Sequence, residues 1–196
     1  MRAIARFLAV ATLAFGLAGC GVNDIPTYEE QAKADWAQVE NQYQRRADLV
    51  PNLVETVKGY AAQERETLEA VVKARAAATQ TTLPPEMLTD PAAFEKFQEA
   101  QGQLGRALSR LMVVVERYPD LKSAENFRML QTQLEGTENR IAVARRDYIE
   151  AVRRYNTELV TFPGRIWAML LYSDKEQMQT FTAAPEAAEA PQVKFN

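Results

Sequence analysis

The chain has 196 residues, a size that fits one domain with a core of its own. Lys plus Arg number 23 against 26 Asp plus Glu, a net charge of -3, so no broad basic field is available for nonspecific nucleic-acid binding. Histidine is absent and Cys20 is the only cysteine, which excludes an intrachain disulfide, removes most catalytic and metal chemistry, and leaves no cofactor to expect.

Met1, Arg2 and Arg6 give the N-terminus a positive start, and residues 7–19 form an uncharged apolar run. At about 13 residues the run is short of the roughly 20 needed to span a membrane, but it suits a signal-peptide core. It ends in Leu17-Ala18-Gly19-Cys20, which resembles the lipobox of bacterial lipoproteins. That resemblance implies cleavage before Cys20 and acyl chains on the cysteine sulfur and nitrogen. Residues 1–19 are then a leader, and residues 20–27 a short lipid-anchored linker. Each buried methylene contributes about 0.8 kcal/mol, so two chains already hold stably. The alternative is an uncleaved N-terminal anchor in which Cys20 is incidental. Gly21, Val22 and Asn23 follow, with no Asp directly after the cysteine. By resemblance to lipoprotein sorting, this favours the periplasmic face of the outer membrane in a cell with two membranes, with the inner membrane second.

The first helix is expected over about 28–79. Thr27 and Glu30 have capping-box spacing, and Trp36, Val39, Tyr43, Val50, Leu53, Val57 and Tyr60 hold a three-four repeat. The pattern continues less strictly through Ala61, Leu68, Val71 and Val72, giving roughly 50 residues, or about 75 Å. Pro51 removes a hydrogen bond to residue 47 and should kink this helix. Arg46 falls on the seam where an apolar residue is expected.

Two prolines and several threonines make residues 80–90 a turn. Asp90 caps a second helix, about 91–118, with Pro91 at its first position. Phe94, Phe97, Leu104, Leu108, Leu111, Val115 and Tyr118 keep the repeat, with Gln101 the polar exception, and Pro119 stops it. Ser123 caps a third helix, about 124–161. There Phe127, Leu134, Ile141, Tyr148, Tyr155 and Phe162 recur every seven residues, with Leu130, Thr137, Ala144 and Ala151 midway between them. Both rows share one face, and large against small residues let a neighbouring helix approach closely.

Pro163 and Gly164 break that helix, and a short fourth helix follows over about 165–172, with Ile166, Trp167, Leu170 and Leu171 on one side. Two readings fit it: a membrane-touching segment, or a piece that folds back and closes the end of the bundle. Residues 182–196, rich in Ala, Pro and Glu, form a flexible tail beyond a bundle of 28–181. The fold class expected is all-α: an antiparallel up-and-down bundle of three long helices plus a short fourth.

LVPNLVETVKGYAAQE (49–64), preceded by Gln44-Arg45-Arg46, resembles the first signature of the LemA family, and LEGTENRIAVARRDYIEAVRRYN (134–156) resembles its second. Phe162-Pro163 and the closing APQVKF fit as well, so the resemblance runs from about Ala34 to the C-terminus. It implies an extracytoplasmic, membrane-attached bundle of long helices in a four-helix arrangement, with no established enzymatic activity. Many members look anchored by an uncleaved N-terminal helix, and some act beside other envelope proteins. The lipoprotein-type start of this chain departs from that pattern.

An enzyme needs a positioned acid, base or nucleophile in a pocket. The acids here lie mostly on solvated faces, with Glu64 on the seam of the first helix, and Gly-rich phosphate loops are absent. The polar groups that stand out are Arg45, Arg46 and Asp48 before Pro51, and Glu138, Asn139, Arg145, Arg146 and Asp147 on the long helix. They form either a docking patch for a partner or an internal network that fixes register. Arg46 must be paired or reach water, because a stranded buried charge costs several kcal/mol. With the first and third helices taken as parallel, Glu138 and Asp147 are its candidate acids. The expected function is non-enzymatic: a membrane-anchored envelope scaffold or adaptor for partner proteins. A sensor or small-ligand-binding bundle is the alternative, using Gln101, Thr137 and Glu158 in one wet cavity near Pro51. A carboxylate-dependent envelope hydrolase is third.

Overall fold

The computed structural model describes residues 21–182, so the expected leader, Cys20 and the end of the chain lie outside the described residues. The helices are α1 (Asp24–Tyr60), α2 (Arg65–Gln80), α3 (Pro91–Val115), α4 (Pro119–Ser123), α5 (Glu125–Val160) and α6 (Gly164–Leu170), with a 3-10 turn at Pro85–Met87. No strand occurs among the described residues, and the all-α bundle stands as expected.

The long helix expected over 28–79 is instead a hairpin of α1 and α2. The chain turns at residues 61–64, where Ala61 is fully buried and Glu64 N–H donates to the Ala61 carbonyl at 3.0 Å. A straight rod of about 75 Å would outrun every later helix and leave half its seam unpaired. Folding it back buries Leu68, Val71, Ala74 and Ala78 instead. Pro51 lies inside α1 without ending it. The carbonyl that Pro51 leaves without its helical donor, that of Ala47, accepts from Arg75 Nε on α2 at 2.8 Å. The vacancy thus becomes a tie between the two arms of the hairpin.

Contacts along the rods fix their directions. Trp36 meets Tyr148, Arg46 meets Glu138, and Val50 to Val57 share a cluster with Phe127 to Leu134, so α1 and α5 run antiparallel, not parallel. Trp36 meets Phe94, Arg46 meets Gln101, and Gln63 meets Tyr118, so α3 runs alongside α1 in the same sense. The four rods α1, α2, α3 and α5 therefore alternate up and down. The fourth rod is α2, while α6 closes one end.

Capping follows the sequence in one place and departs from it in two. Asp90 accepts from the N–H groups of Ala92 and Ala93, with Pro91 opening α3. Helix α1 begins three residues before Thr27, whose hydroxyl donates to the Asn23 carbonyl at 2.6 Å instead of capping. Ser123 ends α4, its hydroxyl on the Asp120 carbonyl, and α5 starts after Ala124 without a side-chain cap. Pro119 does not stop α3, which has already ended at Val115, but opens α4.

Residues 173–182 form a strap laid back over the base of the bundle, burying Met178 and Phe181. Asn156 on α5 holds it from both sides, donating to the Met178 carbonyl and accepting from its N–H, each at 2.9 Å. Gln179 N–H donates to the Leu88 carbonyl at 2.8 Å, and its own carbonyl accepts from the Tyr148 hydroxyl at 2.9 Å. Lys175 reaches Glu29 on α1 at 2.8 Å. Burial pushes the Glu29 carboxyl upward, but hydrogen bonds and charge from Lys175 and Lys33 outweigh that and hold it below the ordinary 4.5.

Leu108 is buried among α2, α3 and α5 side chains. Leu108→Ala should cost about 2–5 kcal/mol, the usual range for large-to-small core changes, in equilibrium urea unfolding. Because Glu29 is depressed in the folded state, its contribution is present above its unfolded value of 4.5 and is lost as pH falls through the folded value. Lys175→Met removes a main cause of the depression. Its melting temperature should therefore lie below the parent's at neutral pH and fall less steeply on acidification.

Candidate functional site

The core divides into two apolar clusters that meet at mid-bundle. One runs from Ile25 to Tyr43 on α1 and takes in Phe94, Phe97, Ile141 and Tyr148; the other begins at Val50 and takes in Leu104, Leu111 and Leu134. Between them lies Arg46, only 4 % exposed. Its Nη1 donates to Glu138 Oε1 on α5 at 3.2 Å. Its Nη2 donates to Gln101 Oε1 at 2.8 Å and to the Gln101 carbonyl at 3.1 Å on α3. Gln101 Nε2 in turn donates to the Ala78 carbonyl on α2 at 3.2 Å. One arginine thus connects all four rods. Its guanidinium carbon lies 4.9 Å from the Tyr43 ring centre, a cation–π contact. Nε is buried without a hydrogen-bond partner.

A groove between α3 and α5 opens onto this cluster, where Gly102 and Gly105 keep the α3 wall low and Arg106, Arg145, Glu95 and Glu99 ring the opening. Arg145 lies over the Phe181 ring of the strap, 4.2 Å from its centre. Burial pushes the Tyr43 hydroxyl up, against the pull of Arg145 and Arg46. Tyr155 is pushed up to about 12 by burial, and Tyr148 is pushed higher still. These phenols stay protonated near neutrality and offer no general base.

The other residues singled out from the sequence are dispersed. Arg45 and Asp48 are exposed on α1, Asp48 accepting from Gln44 Nε2 at 2.7 Å. Asn139 and Asp147 line a shallow depression between α1 and α5, away from Arg46, and Arg146 pairs with its neighbour Asp147 at 3.0 Å. The antiparallel course of α5 brings Glu138, not Asp147, level with Arg46. Gln101, Thr137 and Glu158 do not share one cavity. Thr137 is fully buried and donates to the Gln133 carbonyl at 2.8 Å, while Glu158 sits at the base near Gly164. Burial, with the charge of Asp24 adding to it, raises the Glu158 carboxyl. Glu64 is taken up by Arg117 at 3.0 Å and the Tyr118 hydroxyl at 2.7 Å. Gln101 itself was visible as the polar exception on its seam; Asn156 and Arg75 carried no comparable signal. Among the described residues no three His, Cys, Asp or Glu side chains gather as a metal site would need.

The model of the LemA family matches residues 35–195. Relatives include magnetosome protein MamQ 2 and magnetosome protein MamQ 1 of Paramagnetospirillum magneticum, and magnetosome protein MamQ of Magnetospirillum gryphiswaldense. Each is 30% identical over 164 residues, covering 76% of this chain and 60% of the relative. The chain thus spans 60% of the length of these relatives.

The two partners of Arg46 differ in burial, and that decides their energies. Glu138 keeps 45% of its side chain exposed, so solvent screens the ion pair, and Glu138→Ala should cost about 1 kcal/mol or less. Gln101→Leu removes the nearer acceptor of Nη2 and the donor to Ala78, leaving the Gln101 carbonyl and Glu138, and should cost about 1–3 kcal/mol. Joining Arg46→Leu to it should restore an apolar seam and recover most of that loss. A double-mutant cycle by urea unfolding should give larger coupling for Arg46 with Gln101 than with Glu138.

Proposed function

Of a chain that belongs to the LemA family, we propose that it is a membrane-attached, non-enzymatic bundle of the cell envelope, acting as a scaffold or adaptor for partner proteins. The observation that carries this is where the chain enters the fold. Gly21, the first described residue, packs at the base of the bundle directly after the apolar run and Cys20. Attached there, α1 with its 37 residues holds the turn at 61–64 about 55 Å from the anchor. The interior offers little to chemistry, because the buried polar groups of Glu29, Arg46, Gln101 and Thr137 engage neighbours within the chain. Work is left to the surface. No described helix is long and apolar enough to cross a membrane.

The lipobox resemblance assigns the anchor to acyl chains on Cys20, with the protein exported and held on the periplasmic face of the outer membrane, the inner membrane second. A sensor for a small anion is the second reading. It rests on the buried, unpartnered Nε of Arg46 beneath the α3–α5 groove.

Cys20→Ala should abolish incorporation of labelled fatty acid and stop removal of residues 1–19. Mass spectrometry of the mature protein from its own host checks this; residues 1–19 still attached would overturn the lipoprotein anchor. Crosslinking in the intact envelope should capture defined protein partners, and capture of none would count against the scaffold.

A further inference from the structure

Helix α6 closes the base with one side only. Trp167, Ala168 and Tyr172 pack against the core. The other apolar side chains of α6 and its flanks are bare: Phe162 is 81%, Met169 71% and Leu170 70% exposed, with Ile166 and Leu171 also exposed. Elsewhere exposed large apolar residues occur along the rods, among them Val72 on α2, Val113 on α3 and Met129 on α5, as is ordinary for a protein surface. Five together at one end are not ordinary, and such patches mark contact with a protein or a membrane.

What covers this patch follows from where the chain enters. Gly21 has φ +97°, a conformation that favours glycine, and it turns the chain directly against α6. A Cβ built on Gly21 would lie 3.7 Å from Pro163 Cγ and 3.9 Å from Trp167 Nε1. Cys20 is the next residue out, about 3.8 Å along the backbone, and the apolar run 7–19 precedes it. Either form of anchor, acyl chains on Cys20 or the apolar run itself, therefore holds a bilayer at the base of the bundle, the end at which α6 lies. Gly164 fixes the close approach of α6 to α5, since any side chain there would meet the Glu158 carbonyl.

We propose that the apolar patch at the base, formed by Ile166, Met169 and Leu170 of α6 with Phe162 before it and Leu171 after it, rests in the interfacial region of the membrane that anchors the chain. This builds on the membrane attachment proposed above. An anchor at one residue fixes a point; a second, apolar contact at the base fixes the tilt of the bundle. Arg165 is the one cation on α6, so the contact draws on apolar burial and is insensitive to salt.

The test uses the full chain in its own membranes, with Leu170 replaced by photoreactive p-benzoylphenylalanine and, as a control, Met129 on α5 replaced in the same way. Both positions are exposed, so folding is not at risk. After irradiation, mass spectrometry should find phospholipid adducts at position 170 at least tenfold above those at position 129, in low and in high salt alike. If the protein stays in carbonate-washed membranes but position 170 reacts with residues 1–20, with a second copy, with another protein or with nothing, the α6 contact is overturned and the attachment stands. A protein absent from those membranes ends both.

Discussion

Everything in the bundle has to accommodate Arg46. A guanidinium in the interior keeps its charge and must find acceptors, and here the chain supplies them. Gln101 supplies two acceptors and Glu138 a third, and Gln101 spends its own donor on α2. Sliding any one rod by a turn would break this set and strand a charge, a cost the apolar clusters above and below cannot offset by repacking. Those clusters specify that helices pack, but rows of Leu, Val and Ala tolerate several registers. The polar layer selects one, in the way a single buried polar residue selects the register of a coiled coil.

The same layer separates what was legible in the sequence from what was not. The seven-residue repeat of α5 was plain, and so were the Asp90 cap and the misfit of Arg46. The direction of α5 was not, because a repeat has no sense of up or down. Taken as parallel to α1, α5 offered Glu138 and Asp147 alike; antiparallel, it sets Glu138 beside Arg46. Both acids had been candidates, and only the topology chooses. That topology turns on residues 61–64, where Ala, Ala, Gln and Glu reverse the chain without proline or glycine. Apolar spacing continues on both sides of the turn, since both arms of the hairpin face one core. Nothing local announces it.

Pro51 lies inside α1 and does not mark the reversal. The usual expectation of a kink treats the orphaned carbonyl as a defect facing water. Here Arg75 donates to the Ala47 carbonyl, so the strongest breaker in α1 sits mid-helix while the actual reversal comes ten residues later. A long-range side chain met the need that a local rule assigns to solvent. The strap is a similar case. Residues 173–182 have no periodicity to read, and they are ordered by Asn156, Tyr148 and Glu29, all on rods whose own patterns gave no hint of the task.

The two ends of the bundle differ in kind. At the far end Glu64, Arg117, Tyr118 and Gln63 join charges and hydroxyls over the helix ends, a surface that water solvates well. At the base the chain leaves a row of large apolar side chains uncovered. A bundle free in water would gain by burying that row, and the means were at hand, since the strap already covers the neighbouring aromatic cluster with Met178 and Phe181. It covers the side of the base facing α3 and leaves α6 open. An open apolar end where the described chain enters and a polar end away from it make one polarity along the rod, and the bilayer we propose at the base satisfies both ends at once.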